Sequence, residues 1–314
     1  MRLFAAVATM LPLLVGTAAA PLVAQEGGRF LVTETGRSYA RLQEAVDAIG
    51  AGQGTIQIAP GTYRECAVQG AGRIAYVAAE LGRSVFERVA CEDKAALVLR
   101  GAGARVDGLV FTHIQVPDGN GAGIRIEKGD LAVANTRFVD NQSGILSAAD
   151  PSATITVDRS TFAGLGKDPT GNGAHGIYVG EFAALTVTRS RFERGTGGHY
   201  LKSRAPRVTI LDNSFDDSAG QNTNYMIDLS NGATGRIAGN SFAVGGNKDN
   251  YSTMITVAPE GAKNPSAGLV IENNRAWLAP AFQWKTTFVG NWSGERVTLR
   301  NNSLTDRIAP YADR

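Results

Sequence analysis

The segment VDRSTF, residues 157–162, returns along the chain in altered forms, and its repetition decides the fold. Each copy contains apolar or β-branched residues, a polar pair and a last residue that is usually Phe. The copies are VANTRF ending at Phe138, VDRSTF at Phe162, VTRSRF at Phe192, LDNSF at Phe215, AGNSF at Phe242, IENNRA at Ala276 and LRNNSL at Leu304. Successive ends lie 24, 30, 23, 27, 34 and 28 residues apart. A period in this range is typical of a solenoid.

A polar residue stands two positions before each of these ends. The set comprises Thr136, Ser160, Ser190, Asn213, Asn240, Asn274 and Asn302. Equivalent side chains of stacked coils lie above one another, and aligned amides or hydroxyls can form hydrogen-bonded ladders. We therefore expect a polar ladder inside one bend of the coil.

A second repeated strand precedes each copy of the first. Its copies are GIRI at 123–126, GILS at 144–147, GIYV at 176–179, YLKS at 200–203, MIDL at 226–229, MITV at 254–257 and FVGN at 288–291. Short strands rich in Val, Ile and Thr and separated by Gly, Asn and Asp predict a parallel β-helix. A β-propeller would need four strands per blade and a period of about 40 residues.

The segment SYARLQEAVDAIGAGQGTIQIAPGTYRE, residues 38–65, predicts a cap for the open end of the solenoid. It combines an amphipathic helix, with Leu42, Ala45, Val46 and Ile49 on one face, with a strand TIQI and a turn APGTY. Such a helix can cover exposed strand edges. With this segment the sequence closely resembles the pectin lyase-like right-handed β-helix superfamily, whose members often open with a Leu-Gln-Ala-Val helix and a Pro-Gly-Thr-Tyr turn.

The resemblance covers nearly all of the chain after its N-terminal apolar segment. It implies an all-β, single-domain, right-handed parallel β-helix with an N-terminal amphipathic capping helix. It does not specify the reaction, because the superfamily includes lyases, hydrolases, epimerases, esterases and adhesins.

The N-terminus predicts export. One basic residue, Arg2, precedes an uninterrupted apolar run and a cluster of small residues, which is the layout of a secretory signal peptide. We predict a signal peptide over residues 1–24 and the β-helix domain over residues 25–314, in a secreted or periplasmic protein. A retained membrane anchor is the alternative, although the apolar run is short for a span.

Two cysteines, Cys66 and Cys91, are separated by 25 residues. Export to an oxidising compartment favours a disulfide, and two free buried thiols are the alternative. In a β-helix, this separation corresponds to about one coil, so the bond would join neighbouring coils near the capped end.

The charge is nearly balanced, with 31 basic and 29 acidic residues. This balance argues against a nucleic-acid partner. We expect a monomer with a polysaccharide partner and no membrane partner after signal cleavage.

Aligning the second strand separates its two faces. The interior column contains Ile124, Ile145, Ile177, Leu201, Ile227, Ile255 and Val289. Because side chains alternate along a strand, the outward column contains Arg125, Leu146, Tyr178, Lys202, Asp228, Thr256 and Gly290. Neighbouring strands lie about 4.8 Å apart. Tyr178, Lys202 and Asp228 are therefore predicted to stand side by side.

His175 and His199 occupy equivalent positions just before two of these strands, and Tyr225 follows on the next coil. We predict a catalytic group formed by Lys202, Tyr178, His175, His199 and Asp228. Predicted substrate-binding residues are Arg204, Arg125, Tyr200, Tyr225 and Asn224. The plain alternative is a surface ion pair between Lys202 and Asp228, worth about 0 to 1 kcal/mol.

These residue types suit β-elimination of a uronic-acid polymer, which needs a base, a cation beside the enolate and an acid. Lys202 or Tyr178 would be the base, a histidine would neutralise the carboxylate or donate the proton, and Arg204 would bind the anion. An adjacent Arg204 is expected to lower the pKa of Lys202. Asp228 would orient Lys202 or bind calcium. Calcium needs six to eight oxygens, and no dense acidic cluster surrounds Asp228, so we assign no metal and no cofactor.

Three alternatives remain open. A glycoside hydrolase would need two carboxyl groups about 5 to 9.5 Å apart, whereas only Asp228 falls on the outward column. An epimerase would share much of the lyase chemistry. A non-catalytic binding protein would use aromatic platforms, for which the candidates are Trp277, Trp284, Trp292 and Tyr251.

Overall fold

The computed structural model describes residues 28–166, 170 and 174–314. Each coil in this part of the chain contributes one strand to each of three sheets that run the length of the molecule. The predicted parallel β-helix is therefore confirmed. The predicted signal peptide, residues 1–24, lies outside the described residues.

The first sheet contains twelve strands, of which the two at its N-terminal edge are antiparallel and the rest parallel. In spatial order they are Arg37–Tyr39, Phe30–Val32, Gln53–Ile58, Arg73–Ala78, Gly103–Asp107, Asp130–Ala134, Asp150–Asp158, Phe182–Thr188, Arg207–Leu211, Thr234–Ala238, Leu269–Glu272 and Thr298–Arg300.

The second and third sheets contain ten parallel strands each. The second consists of Gly61–Tyr63, Ser84–Glu87, Leu109–Thr112, Arg137–Val139, Thr161–Ala163, Arg191–Glu193, Ser214–Asp216, Ser241–Val244, Arg275–Leu278 and Ser303–Leu304. The third consists of Ala67–Gln69, Ala95–Leu99, Ala122–Ile126, Ser143–Ser147, Ile177–Val179, Leu201–Ser203, Ile227–Leu229, Thr253–Val257, Thr286–Asn291 and Ile308–Asp313.

The capping helix, α1, spans Leu42–Ile49. Its first turn is fixed by carboxylates, since the Arg41 N–H donates to Glu44 at 3.2 Å and the Leu42 N–H donates to Glu65 at 2.8 Å. The predicted apolar face is confirmed, with Leu42, Ala45 and Val46 buried and Ile49 packed against the core. No helix within the described residues is long and apolar enough to span a membrane.

A stack of aromatic rings fills the core beside the second sheet. Its members are Tyr63, Phe86, Phe111, Phe138, Phe162, Phe192, Phe215 and Phe242, all fully buried. Neighbouring ring centroids are 4.7 to 5.7 Å apart. The sequence repeat locates the last five rings, and the structure extends the stack through three further coils. Offset stacking of this kind adds to the free energy gained by burying the rings.

The predicted polar ladder is present at the bend between the first and second sheets. The backbone N–H of Ser190 donates to the Asn213 side chain at 2.9 Å, that of Asn213 to Asn240 at 2.8 Å, and that of Asn240 to Asn274 at 2.9 Å. The ladder continues to Asn302 at 3.0 Å. Buried backbone donors that cannot reach water in this bend are thereby satisfied.

Cys66 and Cys91 form the predicted disulfide, with their Cα atoms 5.5 Å apart. Both cysteines precede strands of the third sheet, in successive coils next to α1. The bond therefore joins the first two coils of the capped end.

Replacing an interior member of the ladder is expected to destabilise the fold more than replacing its last member. Asn240 binds Asn213, Asn274 and the Ile210 carbonyl, so Asn240→Ala leaves several buried groups unpaired. We expect the free energy of unfolding to fall by about 2 to 4 kcal/mol. Asn302→Ala, at a half-buried site that water can reach, is expected to cost about 1 kcal/mol.

Urea-induced unfolding followed by circular dichroism measures both changes. Equal losses for the two variants would contradict a role for the ladder in satisfying buried donors.

Candidate functional site

The outward column of the third sheet has the predicted register. Tyr178 pairs with Lys202, Lys202 with Asp228, and Asp228 with Thr256 on neighbouring strands. The interior residues of the same strands, including Leu201 and Ile227, are fully buried. The sequence alignment therefore places these three polar side chains on one outer face, as predicted.

Asp228 anchors Lys202 within this face. Its carboxylate lies 3.2 Å from the Lys202 Nζ and accepts hydrogen bonds from Ser230 and Thr256, both at 3.0 Å. Asp228 is 1 % exposed and Lys202 is 8 % exposed. Burial raises the pKa of Asp228, and the Lys202 ammonium acts in the opposite direction. Asp228 therefore lies beneath Lys202 and fixes its position, and Asp228 itself does not face the solvent.

Glu260 lies on the solvent side of the two cations of this face. One carboxylate oxygen contacts the Lys202 Nζ, and the other accepts from an Arg204 Nη at 2.5 Å. Arg204 also donates to the Tyr178 hydroxyl at 3.0 Å and to Asn231 at 2.8 Å. Glu260 therefore bridges Lys202 and Arg204.

The two histidines are in direct contact. The His199 N–H donates to the His175 Nδ1 at 3.2 Å, and the two Nδ1 atoms are 3.3 Å apart. Gly198 makes this approach possible, since its φ is 58° and a Cβ there would lie 1.8 Å from the Ala174 carbonyl oxygen. The His199 Nε2 lies 3.6 Å from Asp228, so the pair continues the polar face.

Both histidines are neutral at physiological pH. Burial is the main cause that lowers the pKa of His199, to about 3, and the Lys202 charge lowers it further. Burial likewise holds the pKa of His175 well below its usual value, with His199 and Lys202 contributing in the same direction. The predicted role of a histidine, to neutralise a substrate carboxylate or to donate a proton, stays a prediction, and in the free protein the lowered pKa values favour the neutral imidazoles.

Tyr225 and Asn224 lie at the edge of the same face. The Tyr225 ring is 5.4 Å from that of His199, and its hydroxyl accepts from Asn250 at 2.9 Å. Asn224 donates to Asp249 at 3.1 Å. Both remain candidate substrate-binding residues.

Tyr200 does not belong to the face. It is 4 % exposed, its hydroxyl donates to Asp217 at 2.8 Å, and it accepts from the Gly195 N–H at 3.0 Å. Tyr200 precedes the strand at a bend, where alternation no longer gives the direction of a side chain. Its assignment as a substrate-binding residue stays a prediction, which its buried hydroxyl does not support.

Asp217 is the centre of a buried cluster that the sequence does not reveal. It also binds the Thr223 hydroxyl at 2.7 Å and the Lys248 Nζ at 3.0 Å. Burial lowers the pKa of Lys248, and the Asp217 carboxylate opposes that effect. This cluster ties together the bends that carry Asn224, Tyr225 and Asn250.

Arg125 lies on the outward column but away from the group. Leu146 stands between Arg125 and Tyr178 in the register, which separates them by about 10 Å. The Arg125 Nε is buried without a hydrogen-bond partner and lies 3.5 Å from Glu127. Arg125 therefore shares the face with the cluster without touching it.

The aromatic residues predicted as a binding platform divide between faces. Tyr251 and Trp284 stack at a centroid distance of 4.8 Å and lie in bends that lead into the third sheet. Trp292 follows a third-sheet strand, and the Arg314 guanidinium lies 5.9 Å from its ring. Trp277 lies on the second sheet and does not contribute to the outward column.

Glu260 is the functional candidate that the sequence interpretation missed. It belongs to the bend after the strand Thr253–Val257, and this coil contains the longest interval of the repeat, 34 residues between Phe242 and Ala276. The long interval signals extra bend residues, although it does not show where their side chains point. Among the described residues, no group of three or more His, Cys, Asp or Glu is arranged to hold a metal ion.

No protein-family model matches the sequence, and no curated protein matches it. Solved structures to which the chain is similar include the pectin methylesterase of Aspergillus niger, at 12 % identity and a TM-score of 0.49, with 91 % of this chain and 87 % of that chain covered. The surface protein and adhesin PfbA of Streptococcus pneumoniae is similar at 11 % identity and a TM-score of 0.40, covering 87 % and 94 %. A mannuronic acid specific polysaccharide family 6 lyase from human gut microbiota is similar at 13 % identity and a TM-score of 0.28, covering 84 % and 81 %.

The neutral histidines predict a specific loss of stability in acid. The unfolded chain protonates both below about pH 6.5, whereas the folded state excludes these protons. The unfolded state then binds more protons, so the free energy of unfolding falls as the pH decreases through this value. For the two histidines together we expect a loss of about 2 kcal/mol between about pH 7 and pH 5.5.

Urea unfolding at each pH measures the loss. His199→Gln removes one of the two titrating groups, so this variant should lose about half as much over the same interval. An unchanged pH slope in the variant would show that His199 does not titrate as described.

Proposed function

We propose that this protein is an exported, carbohydrate-active enzyme that cleaves an acidic polysaccharide by β-elimination on the outer face of the third sheet. The site consists of Lys202, Arg204, Tyr178 and His199, with Asp228 as the residue that orients Lys202. It uses side chains alone, and the substrate is a uronic-acid polymer outside the cytoplasm.

One observation carries the proposal. Lys202 and Arg204 converge on the two oxygens of a single carboxylate, that of Glu260. A uronate carboxylate has the same planar pair of oxygens, and two cations on that group stabilise the negative charge that develops when the neighbouring carbon loses its proton.

Tyr178 is the proton-transfer residue that fits this arrangement best. Its oxygen accepts from Arg204, so its own proton points away from the guanidinium. In the reaction, the Tyr178 hydroxyl gives its own proton to the glycosidic oxygen as the bond from that oxygen to carbon breaks. The Tyr178 oxygen accepts the proton of the carbon beside the carboxylate, and the electron pair left on that carbon forms the carbon–carbon double bond, so Tyr178 ends in the form in which it began.

Of the two residues that the sequence predicts as the base, Lys202 and Tyr178, Lys202 is assigned a different role. Two carboxylates already contact its Nζ, so we assign it to charge stabilisation. His199, neutral and 3.6 Å from Asp228, is a neighbouring hydrogen-bonding group for the sugar.

Glycoside hydrolysis is less well supported by this geometry. Asp228 is fully enclosed by Lys202, Ser230 and Thr256, and Glu260 is engaged by two cations. Asp228 stays enclosed whatever the position of the Glu260 side chain, so the face does not offer the two available carboxyl groups that hydrolysis of a glycosidic bond requires.

The experiment is a turnover assay with a panel of uronic-acid polysaccharides, followed by absorbance near about 235 nm. Elimination leaves an unsaturated uronate that absorbs there. We expect Lys202→Met and Tyr178→Phe each to lower turnover by about a hundredfold or more, because each removes a group that acts in the transition state. Lys128→Met, at an exposed position on the third-sheet side, serves as the control and should retain full turnover.

Three results would contradict the proposal. Reducing ends without absorbance would indicate hydrolysis. Full turnover in Lys202→Met would exclude the assigned site. Binding of a polymer without any product would indicate a non-catalytic binding protein, for which the stacked pair Tyr251 and Trp284 would be the natural platform.

A further inference from the structure

Glu260 has the properties of a removable counter-ion. Its side chain is 41 % exposed, whereas those of Lys202 and Arg204 are 10 % and 23 % exposed. It therefore covers the cations from the solvent side. Moving only this side chain outward would uncover both cations without opening the core.

The two cations have other partners that keep them in place. Lys202 retains Asp228 at 3.2 Å. Arg204 retains Tyr178 at 3.0 Å and Asn231 at 2.8 Å. The positions of the two positive groups therefore do not depend on Glu260.

The backbone around Glu260 is also fixed. The Ala258 N–H donates to the Leu229 carbonyl at 2.8 Å, the Glu260 N–H to the Ser230 carbonyl at 3.0 Å, and the Asn264 N–H to the Asn231 carbonyl at 2.9 Å. The Asn264 side chain donates to the Arg204 carbonyl at 3.1 Å. Displacement of Glu260 therefore requires rotation of its side chain and no rearrangement of the bend.

The charges of the cluster balance while Glu260 is in place. Lys202 and Arg204 offset Asp228 and Glu260, and the histidines are neutral. When Glu260 swings out, the face presents one excess positive charge to whatever replaces it. The replacement that restores the balance is another carboxylate.

We infer that Glu260 is an intramolecular substitute for the substrate carboxylate, which occupies the Lys202–Arg204 site in the free protein and is displaced when a uronate binds. The inference rests on the proposed function and deepens it, because it assigns the anion subsite and a residue that competes for it. Glu260 then weakens binding of uronates and leaves binding of neutral sugars unaffected. Only ligands that have a carboxylate of their own can take its place between the two cations.

The test measures binding of trigalacturonate and of the neutral trisaccharide maltotriose by isothermal titration calorimetry. Glu260→Ala removes the competitor, so its Kd for trigalacturonate should fall by about ten- to hundredfold relative to the wild type, the range that corresponds to releasing hydrogen bonds between charged groups. Glu260→Gln keeps the shape of the side chain and loses its charge, so its Kd for trigalacturonate should lie between those of the wild type and Glu260→Ala. Maltotriose binding should not change.

Glu272 provides a matched control. Its carboxylate also bridges two cations, Arg236 and Arg300, but on the first sheet. Glu272→Gln makes the same change in net charge and frees two arginines away from Tyr178. Its Kd for trigalacturonate should equal that of the wild type.

The inference fails if folded Glu260→Ala binds trigalacturonate no tighter than the wild type or not at all. It also fails if Glu272→Gln gains as much, or if maltotriose gains equally, because either gain would come from net charge or from space. Turnover near about 235 nm is measured separately on the same variants. Tighter binding without product would support displacement of Glu260 and reject elimination, so the two proposals fail independently.

Discussion

The register between successive coils is the constraint on which the rest of the structure depends. Every coil must place the same position at the same height, because each strand completes the hydrogen bonding of its neighbours about 4.8 Å away. A shift by one residue would turn the whole interior column toward solvent. The Asn ladder and the ring stack enforce the register from two sides, since an amide or a ring out of line loses its partners above and below.

The same constraint governs the outer face. A column with one residue per coil brings charges as close together as the strands, so like charges in adjacent positions would repel strongly. The column avoids this by placing Lys202 between the uncharged Tyr178 and the acidic Asp228. The second cation, Arg204, stands beyond the strand end, and its balancing acid comes from a bend of a later coil. The strands thus fix the positions of the polar side chains on the outer face, and a residue from a bend balances their charge.

The sequence predicts the features that recur in every coil, and it predicts few of the contacts that the bends contribute. Strand faces, the ladder and the neighbours Tyr178, Lys202 and Asp228 follow from alternation and period alone. The burial of Tyr200 does not follow from the sequence, because alternation ends where the strand ends. The lowered pKa values of the histidines do not follow from the sequence, because the burial that lowers them comes from neighbouring coils. Glu260 was missed because the length of a bend can change without disturbing the stack, so nothing in the period records where its side chains reach.

The disulfide between Cys66 and Cys91 makes the two ends of the solenoid differ. It fastens the first coil to the second at the end that α1 also covers, and coils farther along are held only by contacts with their neighbours. Under heat or mechanical tension, the two joined coils are expected to come apart last, because a disulfide restricts the unfolded state of the segment that it closes. The candidate site lies in the coils beyond this joined pair, which can separate before it.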